Sequence, residues 1–219
     1  FPVESIAVYQ ARFKPKSETH YILYVYFPEH QKVVSGEFTS IGKTELIDPA
    51  PIQVRQITFK QDRGYTLRYI SAPNVGVYQG LLKIYYSEST AAGVQFKSFD
   101  AILPLKYVSG KDLWISQTIS PGRFFNSFSE NIEIIPDVER ELIHLDFTLI
   151  AAGQELAFFV HAQSLTFWMN MAQYTNLDNG FGIFSSLKST QVSNLKFSDL
   201  TKLHLATDSL TRDLNFILP

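Results

Sequence analysis

The sequence predicts a mainly β protein built of sandwich-like parts, with two short helices packed on the C-terminal portion. Three observations carry the prediction. Apolar and polar residues alternate with period two along most of the chain, the pattern of strands that bury one face. Eleven Tyr and eighteen Phe among 219 residues supply side chains that suit a pleated, half-buried surface. Pro, Gly and Asn punctuation recurs about every dozen residues, the rhythm of a sandwich or barrel.

The elements follow in order. In "HYILYVYF", Tyr21, Leu23, Val25 and Phe27 share one face and His20, Ile22, Tyr24 and Tyr26 the other. After the turn-like "PEHQ", "KVVSGEFTSI" reads as the hairpin partner. The prolines of "DPAPI" (48–52) donate no ladder hydrogen bonds and stiffen the chain, which divides it into residues 1–48 and residues 49–219. "VRQITFK", "GYTLRYISA", "VYQGLLKIYYSE", "GVQFKSFDAI" and "DLWISQTIS" continue the strands, with "SAPNVG" as a turn.

Two segments break the rhythm. Ser120 precedes Pro121, a capping residue before a first-turn proline, and Phe124, Phe125, Phe128 and Ile132 then fall on one helical stripe. This predicts a helix over 121–134, ended by Pro136. Behind Ser164, Leu165, Trp168, Met169 and Ala172 repeat the stripe, which predicts a second helix over 164–174.

The run "ELIHLDFTLIAAGQELAFFVHA" reads as a hairpin turning at Ala152-Gly153. In that register Leu149 opposes Leu156, Phe147 opposes Phe158 and Leu145 opposes Val160, an all-apolar face. The other face sets His144 opposite His161 with Asp146 one step along. Two imidazoles and a carboxylate so placed are candidate metal ligands, although no third ligand stands at a fixed short spacing.

Bulk properties exclude several functions. The chain has no Cys and a formal net charge of −2, so disulfides and thiolate metal sites are impossible. The absence of a basic run removes the electrostatic basis for nucleic-acid binding. No apolar stretch approaches the ~20 residues of a membrane helix. The Gly-x-Ser-x-Gly elbow, the His-Glu-x-x-His helix and the Walker loop are all missing. Beginning at Phe1 rather than Met, the chain reads as a trimmed or processed form. The strand faces carrying Tyr24 and Tyr26, or Tyr85 and Tyr86, are candidate stacking platforms for a sugar. In "NLDNGFGIFSS" the glycines lack a third partner for a dinucleotide fingerprint, and Asp178 stands alone among amides. Asn179-Gly180 therefore reads as a positive-φ turn feeding a strand at "GIFSSL".

The element "TNLDNGFGIFSS" (175–186), preceded by a strand and an aromatic helix and followed by "TDSLTRDLNF", resembles the C-terminal end of a family of uncharacterised Bacteroidota cell-envelope lipoproteins. "FKPKSETHYILYVYFPEHQKVVSGEFTSI" and "GYTLRYISAPNVGVYQGLLKIYYSE" are similar to that family's strand-hairpin and fibronectin-like segments. The resemblance implies immunoglobulin- or fibronectin-like β-sandwich parts, export, and an outer-membrane lipid anchor whose cysteine is not in this sequence. Asp208-Ser209-Leu210 looks like an O-glycosylation acceptor of that phylum, and equally like a helix-starting cap. The family brings no catalytic residues and no cofactor. The expectation is a non-enzymatic envelope component that binds a glycan or an envelope protein. The alternatives are a glycan-processing enzyme with paired carboxylates, or a metal-dependent adhesion module at His144 and His161.

Overall fold

The computed structural model describes residues 12–50, 56–60, 62–109, 113–165 and 174–218. In chain order the elements are β1 (His20–Phe27), β2 (Lys32–Thr39), β3 (Glu45–Asp48), β4 (Gln56–Ile57), β5 (Tyr65–Ile70), β6 (Val75–Thr90), β7 (Gly93–Ile102), β8 (Lys106–Tyr107) and β9 (Trp114–Ile119). Then come α1 (Pro121–Asn131), β10 (Glu139–Gly153), α2 (Gln154–Leu165), β11 (Leu177–Asp178), β12 (Leu187–Phe197) and α3 (Asp199–Thr207). The protein is mainly β.

The described strands make three sheets. The largest runs β4-β12-β10-β6-β7, with β8 also on β6; the others are β3-β5-β9 and β1-β2-β11. Leu67, Tyr69, Ile115 and Ile119 of the second sheet share one core with Tyr78, Leu82, Ile84, Leu145 and Phe147 of the first. Two apolar faces meeting in this way are a sandwich. Strands of the first 48 residues pair with later ones, β3 with β5 and β2 with β11.

The α1 reading holds at its start and along its phenylalanine stripe. The Ser120 side chain accepts the Arg123 amide, Pro121 opens the helix, and Phe124, Phe125 and Phe128 are buried. The helix stops at Asn131, short of Pro136, because Ile132 turns to extended backbone and still buries its side chain.

The second hairpin is corrected. β10 runs the full length Glu139–Gly153, and both its edges are taken, by β6 and by β12. A strand over 154–162 would have no edge of β10 left to join. The chain leaves the sheet instead and forms α2, with Ala157 buried. The apolar face read from sequence survives with other partners, Phe147 opposite Leu82 and Leu145 opposite Ile84. Of the predicted second helix, Trp168, Met169 and Ala172 lie outside the described residues. The helix α3 was not read from sequence. Its signal was Ser198, whose hydroxyl accepts the Thr201 amide. Thr207-Asp208 closes α3, with Asp208 as its C-cap and its carboxylate receiving the Leu210 amide.

Two core tyrosines differ in a testable way. Tyr78 hydroxyl bonds Thr44 at 3.0 Å and accepts the Ala72 amide at 2.9 Å. The Tyr69 hydroxyl is buried without a partner among the described residues, and burial, with Tyr78 nearby, pushes its pKa up. Removing a satisfied buried hydroxyl strands its partners, whereas removing an orphan strands nothing. Tyr78→Phe should therefore destabilise by about 1–3 kcal/mol and Tyr69→Phe by less than about 0.5. Urea denaturation of the two variants measures both. Equal costs would contradict the hydrogen-bond assignment.

Candidate functional site

The β1-β2-β11 sheet has β2 at its centre, and its exposed tyrosines lie on the edge strand β1. The strict alternation of β1 puts Tyr21, Leu23 and Val25 inward and leaves His20, Ile22, Tyr24 and Tyr26 outward. The inner face is held by rings. Tyr21 stacks on Phe38 at 5.5 Å, and Phe38 meets Phe184 edge-on at 4.6 Å. With one face so occupied, the other must face solvent. Tyr24 is 71% exposed and Tyr26 60%.

Antiparallel pairing sets what surrounds the tyrosines. Tyr24 lies opposite Ser35, Tyr26 opposite Val33, and Ile22 opposite Glu37. On the far side of β2, Ser35 lies opposite Asp178 of β11 and donates its hydroxyl to that carboxylate at 3.4 Å. Tyr24, Ser35 and Asp178 thus form a row across three strands, spanning roughly 10 Å at ordinary strand spacing. One ring face, one hydroxyl and one carboxylate stand side by side in water. His20 Nε2 lies 3.3 Å from Glu37 at the same face.

The "NLDNGFGIFSS" loop supplies the third strand of this row. Its polar atoms serve its own backbone and that of β2, where Asn179 donates to the Val33 carbonyl at 3.2 Å. Asn176 accepts the Phe184 amide and donates to the Phe184 carbonyl, at 2.8 and 2.7 Å, and the Thr175 hydroxyl receives the Gly182 amide. Asn179 takes φ 58° and Gly182 φ 143°, the left-handed region the turn requires. A Cβ on Gly180 would come within 2.8 Å of Val34, so only glycine lets the loop lie on β2. The strand expected at "GIFSSL" begins later, at Leu187.

The other candidates are placed elsewhere. Tyr86 is 5% exposed and part of the core, so it presents no ring face to a ligand. Tyr85 lies on the opposite face of β6, with its ring stacked on His144 at 4.4 Å. Strand geometry separates the two because adjacent residues point to opposite sides. His144 is opposite Tyr85, while His161, on α2, stands edge-on to Tyr107 at 5.4 Å. Tyr107 pairs with Val77, eight residues from Tyr85 along β6, or roughly 26 Å of strand. The cross-strand histidine pair does not exist. Asp146 is otherwise engaged: at the bulge in β12 it accepts the amide of Asn194, a residue at φ 61°, at 2.8 Å. The bulge removes that amide from the ladder and the carboxylate satisfies it. Among the described residues no three His, Cys, Asp or Glu side chains are grouped to hold a metal.

Two further features escaped the sequence. A groove of about 500 Å³ between α1 and β7 is lined by Asp100, Arg123 and Glu130, with Leu82 and Phe124 among its apolar lining residues. Arg140, fully buried, bonds Glu88 through Nε at 3.0 Å, the Leu214 carbonyl at 2.7 Å and the Glu133 carbonyl at 3.0 Å. Lys97 pairs with the other oxygen of Glu88.

The chain matches no protein-family model, no curated protein and no solved structure. Among the described residues no helix is long and apolar enough to cross a membrane.

Proposed function

We propose that this chain is a non-enzymatic binding module of the cell envelope that recognises a glycan on the outer face of the β1-β2-β11 sheet. The observation that carries the reading is the row Tyr24–Ser35–Asp178. Sugars present an apolar C–H face and a rim of hydroxyls. An exposed tyrosine ring matches the first, and a carboxylate beside a hydroxyl matches the second. Tyr26 extends the aromatic surface along the strand, two residues on. The setting, an exported outer-membrane lipoprotein, is part of the proposal and rests on the resemblance of residues 175–186.

A glycan array probed with the wild-type chain and with Tyr24→Ala tests the reading. Stacking on an exposed tyrosine should contribute about 1–2 kcal/mol, so Tyr24→Ala should weaken retention on the order of tenfold or more. Its unfolding midpoint should stay unchanged, because the side chain is outside the core. Retention that survives both Tyr24→Ala and Tyr26→Ala would place the ligand elsewhere; no retention at all would remove the glycan.

The alternative, glycan processing by paired carboxylates, draws on the groove between α1 and β7. Asp100 and Glu130 both line it, and two acids in one cleft are what glycoside hydrolysis uses. Turnover of a bound glycan, abolished by Asp100→Asn or Glu130→Gln, would favour it over simple binding.

A further inference from the structure

Among the described residues the large sheet ends on β7, ten residues long, and β7 is bonded on one side only. Its pairing with β6 is regular from Gly93 to Ile102, and the next residue, Leu103, gives its amide to Gly80 at 2.9 Å. In an antiparallel ladder every second residue spends its N–H and C=O on the same neighbour. Counting back from Leu103, residues 101, 99, 97 and 95 bond β6. Val94, Phe96, Ser98 and Asp100 point their backbone groups outward, and no described residue takes them.

Natural edge strands are blunted by bulges, prolines, short length or free charges. The stretch 93–98 has none of the first three. Every one of its residues is exposed, Phe96 by 80% and Val94 by 59%. Its single charge, Lys97, is already paired to Glu88 on its own sheet. Toward Asp100 the edge is flanked by the α1 groove, so the open portion is centred near Phe96.

We infer that this edge pairs with the same edge of a second copy of the chain, antiparallel, about a two-fold axis at Phe96. Strand parity allows that register, because Phe96 has outward backbone groups. Phe96 then faces Phe96 of the copy, and Val94 faces Ser98 of the copy. Six backbone hydrogen bonds form across the three residue pairs. Lys97 falls opposite Gln95, so no like charges meet, and Phe96 covers its counterpart. The contact is isologous and closes at a dimer. It uses a different sheet from the glycan row and stands independently of it.

Sedimentation velocity on the full chain over a concentration series tests the inference. The wild type should shift from monomer to dimer as concentration rises. Ser98→Pro removes an outward N–H and no bond to β6, so it should weaken the dimer tenfold or more, on the order of a hot-spot loss, with unchanged circular dichroism. Phe96→Glu, which places two carboxylates face to face, should do the same without touching the backbone. Since the chain has no cysteine, Phe96→Cys should crosslink to a covalent dimer under oxidation. A wild type that stays monomeric throughout overturns the inference. So does a dimer that persists in both variants, or a Phe96→Cys chain that forms no crosslink.

Discussion

Replacing Arg140 with Met is expected to destabilise the protein by about 3–5 kcal/mol, as much as any single change outside the aromatic core. The guanidinium is fully buried and joins three parts of the chain: Glu88 of β6, the carbonyl of Glu133 after α1, and the carbonyl of Leu214 near the C-terminus. The backbone of Arg140 adds to this, donating to Asn215 and accepting from Ile217. Truncation would leave Glu88, only 7% exposed, with Lys97 as its one remaining cationic partner among the described residues and two carbonyls without the guanidinium donors. A buried charge stripped of one of its two cations costs more than the lost pair is worth. Urea denaturation at neutral pH gives the cost directly. Adding Glu88→Gln should return part of it, since the stranded charge is then gone.

The same pair sets a pH dependence. Burial alone would push the Glu88 carboxyl up, but hydrogen bonds from Lys97 and Arg140, and their charges, outweigh it and hold the value below the ordinary 4.5. A carboxyl depressed in the folded state contributes stability above its unfolded value, and that contribution is lost as pH falls through the folded value. Wild-type stability should therefore drop below about pH 4.5. In Arg140→Met the depression is relieved, so the deficit relative to wild type should narrow on acidification. A deficit that stays constant with pH would show that the ion pair is not its source.

Removing the Phe124 or Phe128 side chain is the second large effect. Phe124 stacks on Phe59 at 3.7 Å and packs against Phe125, Phe128 and Phe197. Phe128 meets Phe99, Phe124 and Phe216. At eleven residues, α1 is too short to persist on its own hydrogen bonds. Its rings hold it on the sheet. Phe124→Ala and Phe128→Ala should each cost about 3–5 kcal/mol, from lost transfer energy plus an unfilled cavity. Asn126→Ala, on the exposed face, should stay within about 0.5 kcal/mol. Denaturant midpoints with a constant slope would measure all three. A cost below about 1 kcal/mol for either phenylalanine would mean that the site collapses, against the close packing described.

Much of this architecture was legible from local pattern. Alternation located β1, β2, β5, β6, β7 and β9, and the Ser120-Pro121 start with its phenylalanine stripe located α1. Alternation also put Tyr24 and Tyr26 on one side of β1. It did not say which side faces water, because both faces of "HYILYVYF" carry apolar residues. Phe38 and Phe184, distant in sequence, decide that. The second hairpin was misread because an apolar alternation shows that a strand has a buried face and is silent on whether a neighbour's edge is free. The Arg140 site was hidden by a bulge. Pairing with β6 shifts between Leu142 and His144, which moves the buried face from Leu145 and Phe147 to Leu142 and Arg140.

By itself, then, the sequence determined the strand content, the capped aromatic helix and the turn at Asn179-Gly180. Each depends on residues within a few positions of one another, whose steric and hydrogen-bonding preferences act locally. The tertiary structure alone decided which strands are neighbours, that β10 has no edge left for a hairpin partner, and that Asp146 holds a bulge while His161 stands on α2 against Tyr107. It alone also brought Ser35 and Asp178, 143 residues apart, beside Tyr24. Pairing between strands is a competition among all edges of the chain at once, and no local window contains its outcome.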